Sequence, residues 1–260
     1  MGSQAIQNKL WGQRTGDWAT IQEPTGKLGY EYALNFIKLL PSHKILDIGC
    51  GTGYFANLAA QSGADVTGFD ATAAFIEEAK LRNASVHFLT GEMEELPFSD
   101  AAFDAVSGFN SFQYAANVKN ALLEAKRVLK NNGKLVAMIW GNKEECEAAL
   151  YLKAIGSLMP PPAPGAPGPF ALSENHLLEN ILSEIGLDVL DSADVDSIWD
   201  YPNFDTALKG LLSAGPIAKA IEFSGYDKVL QTTIEVTKPF TQSNGHVVFK
   251  NKFRVIISKK

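Results

Sequence analysis

The run Lys44-Ile45-Leu46-Asp47-Ile48-Gly49-Cys50-Gly51-Thr52-Gly53 carries the clearest chemistry in this sequence. An apolar stretch ends in an aspartate, and three glycines follow at every second position. Glycine adopts positive φ without strain and lets a ligand approach the backbone with no Cβ in the way. At the end of a buried strand, such a loop is suited to hold a ligand with main-chain groups. A dinucleotide fingerprint has the spacing G-x-G-x-x-G. Here the third glycine, Gly53, comes one residue early and Tyr54 stands in the expected place, which points to a different nucleotide-like ligand. A second carboxylate, Asp70, closes Gly68-Phe69-Asp70, 23 residues after Asp47. In a doubly wound sheet it would lie beside the glycine loop, where both hydroxyls of a ribose could donate to it. Capping the following helix is its other reading.

Candidates for acid–base work are few. Tyr114, in Phe109-Asn110-Ser111-Phe112-Gln113-Tyr114, could position or deprotonate a hydroxyl, although a phenol near pKa 10 is a poor base unless shifted. His176 follows a proline-rich stretch and could act if that stretch folded over a pocket; a surface position at a helix start is the alternative. His43 precedes the first strand at the far end of the sheet from any site, His87 lies inside the third strand and His246 opens a late one, so none of the three is a candidate. Two cysteines, Cys50 and Cys146, make neither a disulfide framework nor a four-ligand zinc site, and no His/Cys/Asp cluster has metal-ligand spacing, so no metal is expected.

The elements that must position these residues read as strands alternating with helices. Strands are expected at 45–48, 64–69, 85–89, 103–109 and 134–140, with helices at 54–61, 72–81 and 118–130. Asn131-Asn132-Gly133 reads as a helix stop and turn. This alternation implies a parallel sheet with right-handed crossovers and helices on both faces. A helix over 30–40 precedes it and is stopped by Pro41. After a helical segment at 144–158 come six prolines within residues 160–169, which exclude a helix or central strand and leave a surface loop or a lid. The remainder predicts a helix ending over 183–187, a strand at 189–199, helices at 204–212 and 217–231, and strands at 246–250 and 253–258. Trp140, Tyr151, Phe170, Trp199 and Tyr201 crowd the presumed cap; they either line an apolar pocket or pack as a core.

Composition narrows the partners. The chain has 260 residues, 46% of them hydrophobic, and a formal net charge of −6, which disfavours a phosphate-backbone partner. No apolar run has the length of a membrane span. Met1-Gly2-Ser3-Gln4-Ala5-Ile6 reads as neither a secretory leader nor a myristoylation site, so a cytoplasmic location is expected.

Beyond the third strand come Gly91-Glu92 and Leu96-Pro97-Phe98, then Phe103-Asp104-Ala105-Val106 and Arg127-Val128-Leu129-Lys130-Asn131-Asn132-Gly133-Lys134-Leu135. Together with the glycine loop and Asp70, these residues resemble the class I S-adenosylmethionine-dependent methyltransferases, and within them the small-molecule group similar to the ubiquinone/menaquinone biosynthesis enzymes. The resemblance covers about residues 42–140. It implies an α/β fold: a doubly wound, seven-stranded, mostly parallel sheet of Rossmann-like methyltransferase type, with N-terminal helices and a helical/loop cap. It also implies one methyltransferase domain over 1–260: lid helices (1–40), cofactor-binding core (42–140), proline-rich cap (141–180), and closing strands with substrate-side helices (181–260). By resemblance, Gly49, Cys50, Gly51 and Gly53 present backbone to the methionine half of the cofactor, and Asp47 supports the loop and reaches the methionine amine. The N-terminus of the following helix favours the methionine carboxylate. Asp70 holds the ribose with Ala71 beside the adenine, Glu92 accepts from the adenine amine, Met93 flanks the ring and Phe109 faces the reacting centre. Trp11 and Trp18 look like the N-terminal segment that lies over the cofactor in such enzymes; simple packing on the core is the other reading.

The function so implied is transfer of a methyl group from S-adenosylmethionine to a small organic acceptor, leaving S-adenosylhomocysteine, mainly by alignment and desolvation. A non-catalytic S-adenosylmethionine-binding sensor or partner protein is the alternative, and an NAD-type oxidoreductase a more distant one. Acceptor and oligomeric state are not legible.

Overall fold

The computed structural model describes residues 2–161 and 167–260. Residues 162–166, the centre of the proline-rich stretch, lie outside the described residues, and with them the question of a lid.

Seven strands form one sheet: β1 (Lys44–Ile48), β2 (Asp65–Asp70), β3 (His87–Thr90), β4 (Phe103–Phe109), β5 (Leu129–Trp140), β6 (Asp188–Tyr201) and β7 (Val247–Lys259). Their order is β3-β2-β1-β4-β5-β7-β6. The first five pair in parallel, while β7 lies antiparallel to both neighbours. The expected doubly wound, mostly parallel sheet is therefore the fold. Strand order reverses between β1 and β4, and the crevice outside the carboxyl ends at such a reversal is where ligands of open α/β sheets bind.

Burial follows from strand periodicity. Ile45 and Leu46, adjacent and fully buried, point to opposite faces and enter different core layers. One layer joins Ile45, Val66, Val136 and Met138 to residues of α3 (Lys27–Ile37), α4 (Tyr54–Ala60) and α5 (Ala73–Arg82). The other joins Leu46, Ile48, Val106 and Leu135 to α6 (Val118–Val128) and α8 (Leu177–Glu184). Helix α6 shows why its segment folds as it does. Asn117 caps it, accepting from the Asn120 N–H at 3.2 Å, and Ala121, Leu122, Ala125 and Val128 form one buried stripe. Helix α3 ends where Lys38 turns left-handed (φ 55), ahead of Pro41.

Three boundaries differ from the sequence expectation. The stop at Asn131-Asn132-Gly133 lies inside β5: Asn132 has φ 64, its N–H donates to the Lys260 carbonyl at 2.9 Å, and the Lys260 N–H donates to the Gly133 carbonyl at 3.1 Å. The chain's last residue thus carries the strand pattern through what reads locally as a turn. The two strands expected at 246–250 and 253–258 are one. Polar Asn251 looks like a break, but it is buried, and its side-chain carbonyl accepts the Ala148 N–H at 2.9 Å, capping α7 (Ala148–Gly156). The single helix expected over 217–231 is two, α10 (Gly215–Ser224) and α11 (Tyr226–Thr237), split where Gly225 has φ 85.

Strands β6 and β7 outrun the rest of the sheet. β5 ends at Trp140, level with Phe253 and Val195, yet residues 196–201 and 247–252 continue pairing. This ribbon, with α9 (Phe204–Leu211), α10 and α11 following it, builds the cap near the carboxyl edge. No helix among the described residues is long and apolar enough to cross a membrane.

Candidate functional site

The glycine loop leaves β1 at the switch point with Gly49, Gly51 and Gly53 at φ 69, 56 and 80. All three conformations are ones that L side chains rarely adopt. A Cβ on Gly49 would collide with Ser111, on the loop after β4. A Cβ on Gly51 would come within 2.6 Å of Glu23 Oε1 and 3.5 Å of Trp18 Nε1. A Cβ on Gly53 would meet Phe88 and Ala79 at about 3 Å, so this third glycine also serves the packing of α5 and β3 against the loop.

Both expected carboxylates are at the loop. Asp47 is buried and accepts from Ser107 Oγ at 2.8 Å. Burial pushes its pKa up to about 7; the Ser107 bond opposes this, and the charges of Glu23 and Asp70 add to it. Asp70 accepts the Gly51 N–H at 2.9 Å on one oxygen and the Thr72 N–H at 2.7 Å on the other. Burial raises it to about 6 against those two bonds. Asp70 thus ties β2 to the glycine loop; the N-cap of α5 is Thr72, whose N–H Asp70 accepts, so Asp70 is not itself the cap. Each of its oxygens keeps a free acceptor direction.

The N-terminal segment folds over this edge. Helix α1 (Gln4–Trp11) is fastened beyond three different strands. The Gln4 N–H donates to Glu92 Oε2 at 2.7 Å, Asn8 Oδ1 accepts the Ala73 N–H at 2.9 Å, and Gln7 Nε2 donates to the Tyr114 carbonyl at 3.2 Å. After the single turn α2 (Thr15–Asp17), residues 18–26 pass as a strap between the loop and the cap. There Trp18 packs edge-on against Trp11 with centroids 4.8 Å apart, and its ring stacks on Phe75 at 6.1 Å. Tyr201 of the ribbon donates to Gln22 Oε1 at 2.7 Å, and Ser197 Oγ donates to the Thr25 carbonyl at 3.1 Å.

Glu23, in this strap, is the residue that sequence reasoning missed. It is 5% exposed and accepts from the Thr52 N–H at 2.7 Å, from Thr52 Oγ1 and from Arg82 Nη1. Arg82 also donates through Nη2 to the Ala19 carbonyl at 2.9 Å and stacks over Tyr54. Burial raises the Glu23 pKa, opposed chiefly by Arg82 and then by Thr52. Glu23 thus binds the chain at Thr52, one residue ahead of Gly53, the N-cap of α4, and none of the helix's own first N–H groups. A lone Glu in a stretch with little periodicity gives no signal by spacing.

The other expected residues divide. Met93 is buried in the second core layer and Ala71 is half-buried beside Asp70. Phe109 closes β4 with its ring 4.4 Å from Phe55 and 4.8 Å from Tyr30. Cys50 is buried, and burial raises its thiol well above the ordinary range. Glu92 has both oxygens engaged, by the N–H groups of Gln4 and of Glu94 at 3.2 Å. Tyr114 lies against Trp11 at 5.3 Å; desolvation raises its phenol, so even less of the basic phenolate is present near neutral pH. His176 is not brought to the loop by any contact described. Its ring is exposed and lies 3.3 Å from Glu179, whose carboxylate faces Ser192 and Arg254. The cap aromatics form a packed core: Trp140 sits 5.3 Å from Phe170 and 5.6 Å from Trp199, and Tyr151 donates to the Leu211 carbonyl at 2.8 Å. Among the described residues no group of three or more His, Cys, Asp or Glu could hold a metal.

Several buried polar atoms at this edge have no partner among the described residues: Trp18 Nε1, Asn110 Oδ1 and Ser111 Oγ. Buried polar groups are normally bonded, so such atoms around one loop mark where a polar ligand belongs. They offer a donor, an acceptor and a hydroxyl beside positive-φ glycines. With the acidic residues, that set fits an adenosyl amino acid.

The fold thus defines a Rossmann-like domain, with the glycine loop and its acidic neighbours at its switch point. Residues 46–137 match the family described as methyltransferase domain. Over 96 residues it is 34% identical to a malonyl-[acyl-carrier protein] O-methyltransferase of Serratia marcescens, covering 37% of this chain and 38% of that protein. Over 97 residues it is 35% identical to a demethylmenaquinone methyltransferase of Renibacterium salmoninarum, covering 37% and 41%. The chain thus spans about two fifths of the length of these curated relatives. A candidate methyltransferase of Bacillus halodurans superposes with TM-score 0.62 at 17% identity, over 89% of this chain and 98% of that one. A geranyl diphosphate C-methyltransferase of Streptomyces coelicolor, solved with Mg2+, geranyl-S-thiolodiphosphate and S-adenosyl-L-homocysteine, superposes with TM-score 0.53 at 16% identity, over 90% and 75%. At these identities both solved structures speak to the fold.

Proposed function

We propose that this chain binds S-adenosylmethionine at the glycine loop and transfers its methyl group to a small organic acceptor. The observation that carries the reading is the cradle at the switch point: left-handed Gly49 and Gly51 between Asp70 and the unpartnered indole N–H of Trp18. The relatives named as methyltransferases, and the S-adenosylhomocysteine in one fold neighbour, support it. Gly49, Cys50, Gly51 and Trp18 hold the methionine half, with Gly53 shaping the loop. Asp47 fixes the loop through Ser107, Asp70 receives the ribose hydroxyls, and Ala71 and Met93 flank the adenine. Glu92, each of whose oxygens accepts one backbone N–H, accepts from the adenine amine in a remaining acceptor direction.

The cofactor would supply a methyl group already activated on a sulfonium, so the chain's task is alignment and exclusion of water. The ring cluster of Phe109, Tyr30 and Phe55 provides an apolar wall at the end of β4. Tyr114 packs against Trp11 with its pKa raised, so it stays a neutral phenol and takes no proton from an acceptor. The cap aromatics are committed to their own core, so the acceptor approaches elsewhere. A groove of about 610 Å³ lies between residues 13–17, ahead of the strap, and Ile221 and Tyr226 of α10 and α11. The net charge of −6 favours a small molecule over a nucleic acid as acceptor. Titration calorimetry is expected to show micromolar binding of S-adenosylmethionine and S-adenosylhomocysteine and none of NADH. Absence of binding by both adenosyl compounds would refute the reading. Release of S-adenosylhomocysteine with a panel of acceptors separates an enzyme from a cofactor-binding sensor.

A further inference from the structure

We propose that the groove between α2 and the turn from α10 to α11 is a binding site for a small organic carboxylate, and that Arg14 holds the carboxylate group. This goes beyond the methyl transfer proposed above and does not rest on it.

The chain has four arginines, and three of them spend their guanidinium inside the fold. Arg82 donates to Glu23 and the Ala19 carbonyl. Arg127 donates to Glu124, Asp100 and the carbonyls of Leu96 and Phe98. Arg254 donates to Asp194 and the Ser173 carbonyl. Arg14 differs. Among the described residues its guanidinium has an ion pair with Asp17 at 3.7 Å, too long for a hydrogen bond, and a place 5.6 Å over the Tyr226 ring. An aromatic face attracts a guanidinium without using its N–H groups. The donors of this planar fork are thus held in place and unspent.

Space for a ligand adjoins that fork. The groove has a volume of about 610 Å³ and is lined by Arg14, Gly16 and Asp17 on one side and by Ile221 and Tyr226 on the other. A Cβ on Gly16 would meet nothing within 4 Å, so the groove is open there. Ile221 and the Tyr226 ring offer an apolar wall to an organic body. The guanidinium matches a carboxylate, whose two oxygens accept two parallel N–H bonds. Asp17 limits the charge of the ligand. A monoanion meets its repulsion once and a dianion about twice, while an amine would face the Arg14 cation.

The test follows the Nε–H signals of the four arginines by NMR in the nitrogen-labelled full chain, with Arg14→Lys identifying the Arg14 signal by its loss. The probes share one ring: phenylacetate, its neutral amide, phenethylamine, and benzylphosphonate at a pH where it is a dianion. Phenylacetate should shift the Arg14 signal saturably and leave the other three in place. The amide and the amine should bind at least about tenfold more weakly, as loss of charged hydrogen bonds predicts, and the phosphonate no more tightly. Arg14→Gln should weaken phenylacetate at least about tenfold, read from the probe's own signals. Gly16→Phe, which fills the groove and leaves the arginine in place, should abolish binding. No saturable shift of the Arg14 signal up to about 20 mM phenylacetate would overturn the inference, as would equal affinity for the amide or the amine. Tighter binding of the phosphonate would overturn the carboxylate assignment, and binding that survives both Gly16→Phe and Arg14→Gln would overturn the site. A chain that binds phenylacetate here but neither adenosyl compound would refute the proposed function and leave this site standing.

Discussion

Gly51→Ala puts the closure of the strap over the glycine loop under a quantitative test. Gly51 has φ 56, where an L side chain costs about 1–2 kcal/mol relative to glycine. The new Cβ would also fall 2.6 Å from Glu23 Oε1, too close for any real contact. A flexible carboxylate would ordinarily swing away, but this one is held by Thr52 N–H, Thr52 Oγ1 and Arg82. Moving it forfeits charged hydrogen bonds, which contribute about 1.5–3 kcal/mol each when lost from a buried setting. The expected destabilisation is therefore about 3–5 kcal/mol, strain and displacement together. Gly245→Ala separates the two causes. Gly245 has φ 87 with nothing within 4 Å of the place its Cβ would take, so that variant carries the strain alone, about 1–2 kcal/mol. Urea denaturation of the three proteins measures the difference, and calorimetry with S-adenosylhomocysteine should show the Gly51 variant losing affinity while the Gly245 variant keeps it. Equal stability losses in the two variants would refute the reasoning, because Glu23 would then not be held against the loop.

Two further outcomes are expected. Asp47 and Asp70 have folded pKa values near 7 and 6, both raised from 3.8, so the folded state retains protons that the unfolded chain has shed. Their contribution to stability is complete below about pH 4 and is lost as pH rises through 6 and 7. A cationic ligand beside them favours the ionised forms, so S-adenosylmethionine should bind more tightly at pH 8 than at pH 6 and expel protons at pH 6.5. Calorimetry in buffers of differing ionisation enthalpy reads those protons, and Asp47→Asn should reduce them. Tyr114→Phe and His176→Ala should each leave turnover within about threefold of the wild-type rate, since the first residue is held as a neutral phenol and the second faces Glu179. A hundredfold loss in either initial-rate measurement would restore that residue as a general base.

The parts legible in the sequence are those set by local periodicity. β1 reads as a strand because Ile45, Leu46 and Ile48 are apolar without alternation, as burial on both faces requires. The glycine loop reads because left-handed φ at alternate positions leaves glycine little competition. Asp70 reads because a doubly wound sheet places the end of β2 beside that loop, and the Gly51 N–H bond bears the placement out. Illegible features depend on contacts between distant residues. Asn132 is a turn residue by every local rule, yet pairing with Lys260, at the other end of the chain, keeps it in a strand. Asn251 looks like a break until Ala148 uses it as a cap.

Glu23 shows why the site itself was only half visible. Its partners Thr52 and Arg82 lie 29 and 59 residues away, and neither spacing corresponds to a helix or strand period. A sequence pattern reports residues that a loop or an element needs for its own geometry. It does not report a side chain delivered to that loop from another part of the fold. The β1 loop and β2 end therefore declared their part of the proposed site through glycines and an aspartate. The strap's place is set by Tyr201, Ser197 and Arg82, so it became apparent only once the sheet and its extended ribbon were folded around it.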